Sequence, residues 1–209
     1  MPDAGWLCKE DSDDLSCLSK KLVWVVDPPD GTKEFIRGIP EIAISVVLVC
    51  NGQPILAAVM NPITGEAGYW SATEGIRFAG FAAAPTHSLL KKLSAAVACA
   101  SRTEFDKGSL AAFGQKLGKI NPIGSVAYKL LRVAGGADDL YFSIEPKSEW
   151  DVCGGIALLV GSGNTYLRFD AIWLTRFGPR KASSPTFALN SGVCTFRFAH
   201  FFYFPHDSV

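Results

Sequence analysis

A strand that runs into two consecutive prolines constrains this chain more than any other feature. Residues 23–35 read Val-Trp-Val-Val-Asp-Pro-Pro-Asp-Gly-Thr-Lys-Glu-Phe. Val23 to Val26 is β-branched and aromatic, the composition of a buried strand. Pro28 and Pro29 have fixed φ and no N–H, so they stop the strand and stiffen the turn between Asp27 and Asp30. Two carboxylates held close repel each other unless a cation sits between them. Hard cations such as Mg²⁺ take oxygen ligands of this kind, and the Pro29 carbonyl can add a third. Gly31 and Thr32 open a short helix through Phe35, whose first amides offer an anion site. Metal beside phosphate is one reading. Asp, Pro and Gly between apolar runs are also ordinary turn chemistry, and the tetrad alone leaves both open.

The rest of the composition narrows the classes. The 209 residues are enough for one large domain or two small ones. With 48% hydrophobic and 19% charged residues, the chain has the make-up of a packed globular protein. Lys+Arg 20 balances Asp+Glu 20, which argues against nucleic-acid binding by bulk charge. The cysteines (8, 17, 50, 99, 153 and 194) form no Cys-x-x-Cys pair, arguing against zinc and fitting reduced thiols in a cytoplasmic compartment. No signal peptide and no membrane-spanning run is read, so a soluble protein is expected.

Along the chain, residues 1–22 read as a polar loop with an acidic cluster. Ile42 to Cys50 and Ile55 to Met60 read as antiparallel strands about an Asn51-Gly52 turn. Ala67 to Ser71 and Ile76 to Ala79 add two more, making a meander. Ala82 to Thr86 shifts composition and marks a boundary. Beyond it the pattern predicts a strand over 93–100, a helix over 106–117 capped by Asp106, a helix over 125–133, a strand over 139–144 and a helix over 152–160. Residues 166–169 and 189–193 read as strands. The aromatic tail with Phe196, Phe198, Phe201, Phe202, Tyr203 and Phe204 reads equally as a docked strand, an interface or a segment foreign to the fold.

Asp151 stands where the last of these helices begins, and by itself reads as an N-cap. Its context adds to that. The extended run of an apolar strand, Asp27-Pro28-Pro29-Asp30-Gly31-Thr32 and Phe35 resembles the first signature of the inositol monophosphatase family. Trp150-Asp151 followed by Cys153-Gly154-Gly155 resembles its second signature, about 120 residues further on. Gly124 to Leu130 and Ala137 to Tyr141 are similar to the family's stretch before the Trp-Asp pair. Ser101-Arg102 and Lys147 to Asp151 lean towards its 3'(2'),5'-bisphosphate nucleotidase (CysQ-type) branch.

The resemblance implies an α/β fold, the family's layered αβαβα sandwich. Its first half, 1–85, carries the first metal motif, and its second half, 86–209, the Trp-Asp motif. It implies a Mg²⁺-dependent phosphomonoesterase acting on a small phosphorylated metabolite. 3'-Phosphoadenosine 5'-phosphate is the first candidate, with inositol or sugar phosphates and a catalytically impaired fragment as alternatives. Carried over residue by residue, Asp27, Asp30, Asp151 and the Pro29 carbonyl hold metal. Gly31 and Thr32 amides bind phosphate, and Thr32 with Asp30 serves catalysis. Ser125, Lys129 and Glu149 fall in regions that face substrate, though each reads equally as a helix-surface polar residue. A homodimer is common in the family.

Two departures stand out. Where the family places a metal-binding glutamate, Gly5-Trp6-Leu7-Cys8-Lys9-Glu10 puts Lys9, with Glu10 able to substitute only if the loop shifts by one residue. At least one metal is therefore expected to bind poorly. The family also carries a helical segment of roughly 60 to 80 residues upstream. Without it, one face of the first sheet is expected to be exposed.

Overall fold

The computed structural model describes residues 3–11, 16–82, 93–145 and 147–163. The expected strands over 166–169 and 189–193, the aromatic tail and the boundary near residue 85 lie outside them.

The β-branched run after Lys21 forms a strand, β2 (Leu22–Asp30), which pairs with two neighbours. It is longer than the sequence predicts, because it passes through both prolines. The register with β3 (Ala43–Cys50) shifts between Asp27 and Asp30, so Pro28 and Pro29 occupy an irregularity where the ladder asks for no N–H. On the other side β2 pairs in parallel with β1 (Gly5–Cys8), a strand inside the stretch read as a loop. Its four residues are too few to show a period. Pairing with β2 and burial of Leu7 make it a strand. Asn51 and Gly52, both with positive φ, turn β3 into β4 (Gln53–Met60), and β5 (Ala67–Ser71) and β6 (Gly75–Ala79) complete the meander. The six-stranded sheet runs β1-β2-β3-β4-β5-β6.

A helix of one and a half turns, α1 (Thr32–Ile36), follows β2 directly. The second sheet has the order β8-β7-β9 and is parallel throughout, with β7 (Val97–Ser101), β8 (Lys119–Ile123) and β9 (Leu140–Tyr141). The sequence reading missed β8 because Pro122 interrupts a mixed-polarity run. An edge position tolerates that proline. The expected helix over 106–117 is instead two short ones, α2 (Arg102–Asp106) and α3 (Ala111–Gly114), separated around Gly108 at φ 72. Asp106 ends α2 rather than capping a helix, and the Ser101 side chain accepts from the Glu104 N–H at 3.4 Å. Ser101→Ala is expected to cost about 1 kcal/mol, while Asp106→Ala stays within about 0.5 kcal/mol of the parent. Equilibrium urea unfolding of the two variants distinguishes them.

Two long apolar helices, α4 (Val126–Ala134) and α5 (Glu149–Gly161), lie between the sheets. One face of the six-stranded sheet presents Leu7, Val23, Val25, Val47, Val49 and Val59 to Leu130, Leu131, Ala157 and Leu158. Strand alternation then divides β7: Cys99 joins this core, while Ala98 and Ala100 pack with Leu110 and Phe142 in a second one. The layers are therefore sheet, helices, sheet, helices. Gly154 and Gly155 let α5 sit close, since a Cβ on Gly154 would fall 2.3 Å from Ser45 Oγ and one on Gly155 2.2 Å from Leu130 Cβ. On the far face of the six-stranded sheet Trp6, Ile44, Leu56, Met60 and Tyr69 are exposed, while Val26 and Leu48 are buried. No helix among the described residues is long and apolar enough to cross a membrane.

Candidate active site

The two signatures meet at one point. β2 delivers Asp27 and Asp30, α5 delivers Asp151 from its first turn, and carboxylate oxygens of all three lie within 4.8 Å of one another. Asp27 and Asp30 are buried, at 0% and 7% exposure. Asp30 Oδ2 accepts from Ser125 Oγ at 2.7 Å and from the Ala127 N–H at 2.8 Å, so the start of α4 holds it. Asp151 Oδ2 accepts from the Ser148 N–H at 3.0 Å. Asp151 is therefore the third residue of its helix, with Ser148 at the cap position, and not the N-cap read from the local sequence.

Burial and neighbouring charge shift the titration of Asp27 and Asp151. Burial, reinforced by the charge of Asp30, pushes Asp27 up to about 7, against the opposing pull of Lys9. Asp151 is raised by burial and again by Asp30. Burial by itself would lower Lys9, but Asp27 and Asp30 outweigh it and hold the ammonium above its ordinary value. Asp27 Oδ1 has no hydrogen-bond partner although it is fully buried. All the donors here are oxygens: three carboxylates and the nearby Pro29 carbonyl, which accepts from Thr32 Oγ1 at 3.2 Å. That set fits a hard divalent cation and not a thiolate- or imidazole-seeking metal.

Gly31 joins Asp30 to α1 at φ 95, a left-handed conformation, and a Cβ there would fall 2.5 Å from the Glu41 carbonyl. Glu41 is one residue that sequence reasoning missed. Its carboxylate pairs with Arg102 and accepts from the Gly124 N–H at 2.9 Å, while Arg102 also donates to the Pro122 carbonyl at 2.7 Å. This clamp joins the loop before β3 to the end of β8 beside the site. Nothing local to Pro40-Glu41 signals it.

Lys9 Nζ lies 3.3 Å from Asp27 Oδ1 and 3.4 Å from Oδ2. Glu10 is exposed and is not one of the converging carboxylates. The pairing Leu7↔Val25 sets the reason: residues 7 and 9 share the face of 25 and 27, so Glu10 points away. Lys129 lies inside the fold, at the second turn of α4. It is fully buried, donates to the Ile123 and Gly124 carbonyls at 2.9 Å each, and is brought down to about 8 by burial. Ser125 is likewise buried and turned towards Asp30. Glu149 is buried in the first turn of α5.

The sequence profile of the inositol monophosphatase family matches residues 1–191. The chain belongs to that family. Among its relatives, inositol monophosphatase 2 of Solanum lycopersicum is 31% identical over 161 residues, covering 72% of this chain and 59% of the relative. The 3'(2'),5'-bisphosphate nucleotidase CysQ of Escherichia coli K12 is 32% identical over 165 residues, covering 78% and 65%. The crystal structure of inositol monophosphatase II from Staphylococcus aureus superposes with a TM-score of 0.66 at 23% identity, covering 78% of this chain and 63% of that one. The layered α/β fold is thus the family's. The chain spans less than two thirds of the length of these relatives.

Proposed function

We propose that this chain is a Mg²⁺-dependent phosphomonoesterase of the cytoplasm, acting on a small phosphorylated metabolite, first of all 3'-phosphoadenosine 5'-phosphate. The observation that carries the reading is the convergence of Asp27, Asp30 and Asp151 at the start of α1. Asp27, Asp30, Asp151 and the Pro29 carbonyl would hold the cation. When bound, it supplies Lewis acidity and positive charge where a phosphoryl group gains negative charge. Ser125, Ala127 and Ser148 keep the carboxylates in place through the hydrogen bonds described above. The amides of Gly31 and Thr32 open α1 and have no earlier turn to bond, so they take phosphoryl oxygens. The Thr32 hydroxyl, donating to the Pro29 carbonyl, keeps lone pairs with which to orient a water for in-line attack on phosphorus. The water oxygen bonds to phosphorus as the ester P–O bond breaks, and its proton ends on the departing alcohol. The CysQ relative favours the adenosine bisphosphate, and the inositol monophosphatase relative favours inositol 1-phosphate as the second substrate to try.

The Lys9–Asp27 ion pair favours a second reading, binding of phosphorylated ligands with impaired turnover. Phosphate release from both substrates, with and without EDTA and with Asp151→Asn as control, separates the two. Mg²⁺-dependent release from the wild type that falls at least about a hundredfold in Asp151→Asn supports the phosphatase. Release from neither substrate by folded protein would replace it with the binding reading.

A further inference from the structure

Strand parity places Lys9 on the face of Asp27, with its ammonium against that carboxylate at the edge of the cluster. The backbone ladder continues past β1, the Lys9 N–H donating to the Val26 carbonyl at 3.3 Å, which keeps the residue in register with β2. Its ammonium spans both oxygens of Asp27, at 3.3 and 3.4 Å, where Asp27 is fully buried and Oδ1 receives no hydrogen bond. Asp30 Oδ2 is already committed to Ser125 and Ala127. Three carboxylates against one ammonium leave two formal negative charges, the complement of one divalent cation. A second divalent ion at Asp27 would share its oxygens with a fixed positive charge.

We infer that the Lys9 ammonium acts as a tethered cation at Asp27, replacing one metal ion and leaving the cluster to hold a single divalent cation. The inference rests on the phosphatase reading of the same carboxylates, since it presumes that they bind metal. It changes what the site does. Charge near Asp27 is built into the chain and does not depend on metal supply, while Asp30 and Asp151 would supply most of the charge that holds the remaining ion.

Mn²⁺ titration followed by electron paramagnetic resonance counts bound ions without reference to turnover. The wild type is expected to bind one Mn²⁺. Lys9→Gln is expected to tighten that binding roughly tenfold or more by removing the repulsion. Lys9→Glu is expected to take up two ions. Two ions bound by the wild type would overturn the inference without needing a variant. So would Lys9→Gln and Lys9→Glu, both folded by circular dichroism, if they match the wild type in number and affinity while Asp30→Asn loses binding. That outcome would leave the metal-binding reading standing. No Mn²⁺ on any of these proteins would overturn both.

Discussion

Asp30→Asn is expected to remove phosphate release while making the metal-free protein more stable. The asparagine carbonyl can still accept from Ser125 Oγ and the Ala127 N–H, the two bonds that now end on Asp30 Oδ2, so the start of α4 stays satisfied. What disappears is one negative charge beside Asp27 and Asp151, both of which Asp30 raises. Relief of that repulsion is worth about 0.5–2 kcal/mol, the usual scale of gain when a strained site is relaxed. The same charge helps hold the cation, and losing it should lower kcat by roughly a thousandfold or more. Urea unfolding in EDTA and phosphate release in Mg²⁺, made on one preparation, test both halves. A variant that is both active and no more stable would show that the carboxylates are not strained against one another for catalysis. Asp30→Ala, which also orphans two buried donors, should lose the stability gain and the activity together.

Metal-free protein is expected to lose stability as the pH rises from 3.8 to about 7. Asp27 moves from an ordinary carboxylate value of 3.8 in the unfolded chain to about 7 in the fold. Between those values the folded state keeps a proton that the unfolded state has released, so stability falls with each step upwards in pH. Below 3.8 the group is protonated in both states and costs nothing; above 7 the full cost of a buried charge is present. The ceiling of that cost is roughly 4 kcal/mol, and Asp151, also raised by burial, acts with the same sign. Lys9 stays charged throughout and limits the loss. Divalent cation binds the deprotonated form, so excess Mg²⁺ should flatten the profile. Unfolding midpoints at the two ends of this range, with EDTA and with Mg²⁺, give the answer. Equal or greater stability at the alkaline end in EDTA would mean that Asp27 is not held protonated by its surroundings.

Much of this site could be read before the fold was known because its parts are local. The proline-stiffened turn carries Asp27 and Asp30 only three residues apart, and Trp150-Asp151 heads an apolar helix that announces itself by length. Both are short-range patterns. The misreadings share a different cause. β1 has four residues and β8 contains Pro122, so neither shows a period until a neighbouring strand supplies its hydrogen bonds. The helix over 106–117 failed because Gly108 at positive φ breaks a run whose composition alone suits a helix.

Orientation is where sequence reasoning ran out. Ser125 and Lys129 look like polar residues on a helix surface, yet both are fully buried. One holds an aspartate 95 positions earlier, and the other is spent on the Ile123 and Gly124 carbonyls. The amino-acid sequence by itself determined which residues are candidates for a metal-and-phosphate site, since carboxylates, stiff turns and helix starts are properties of neighbours along the chain. Only the tertiary structure decided that Lys9, and not Glu10, meets Asp27. Side chains on a strand alternate, and which of two adjacent residues faces inwards is set by the register with β2, a pairing across 18 residues that no local pattern encodes.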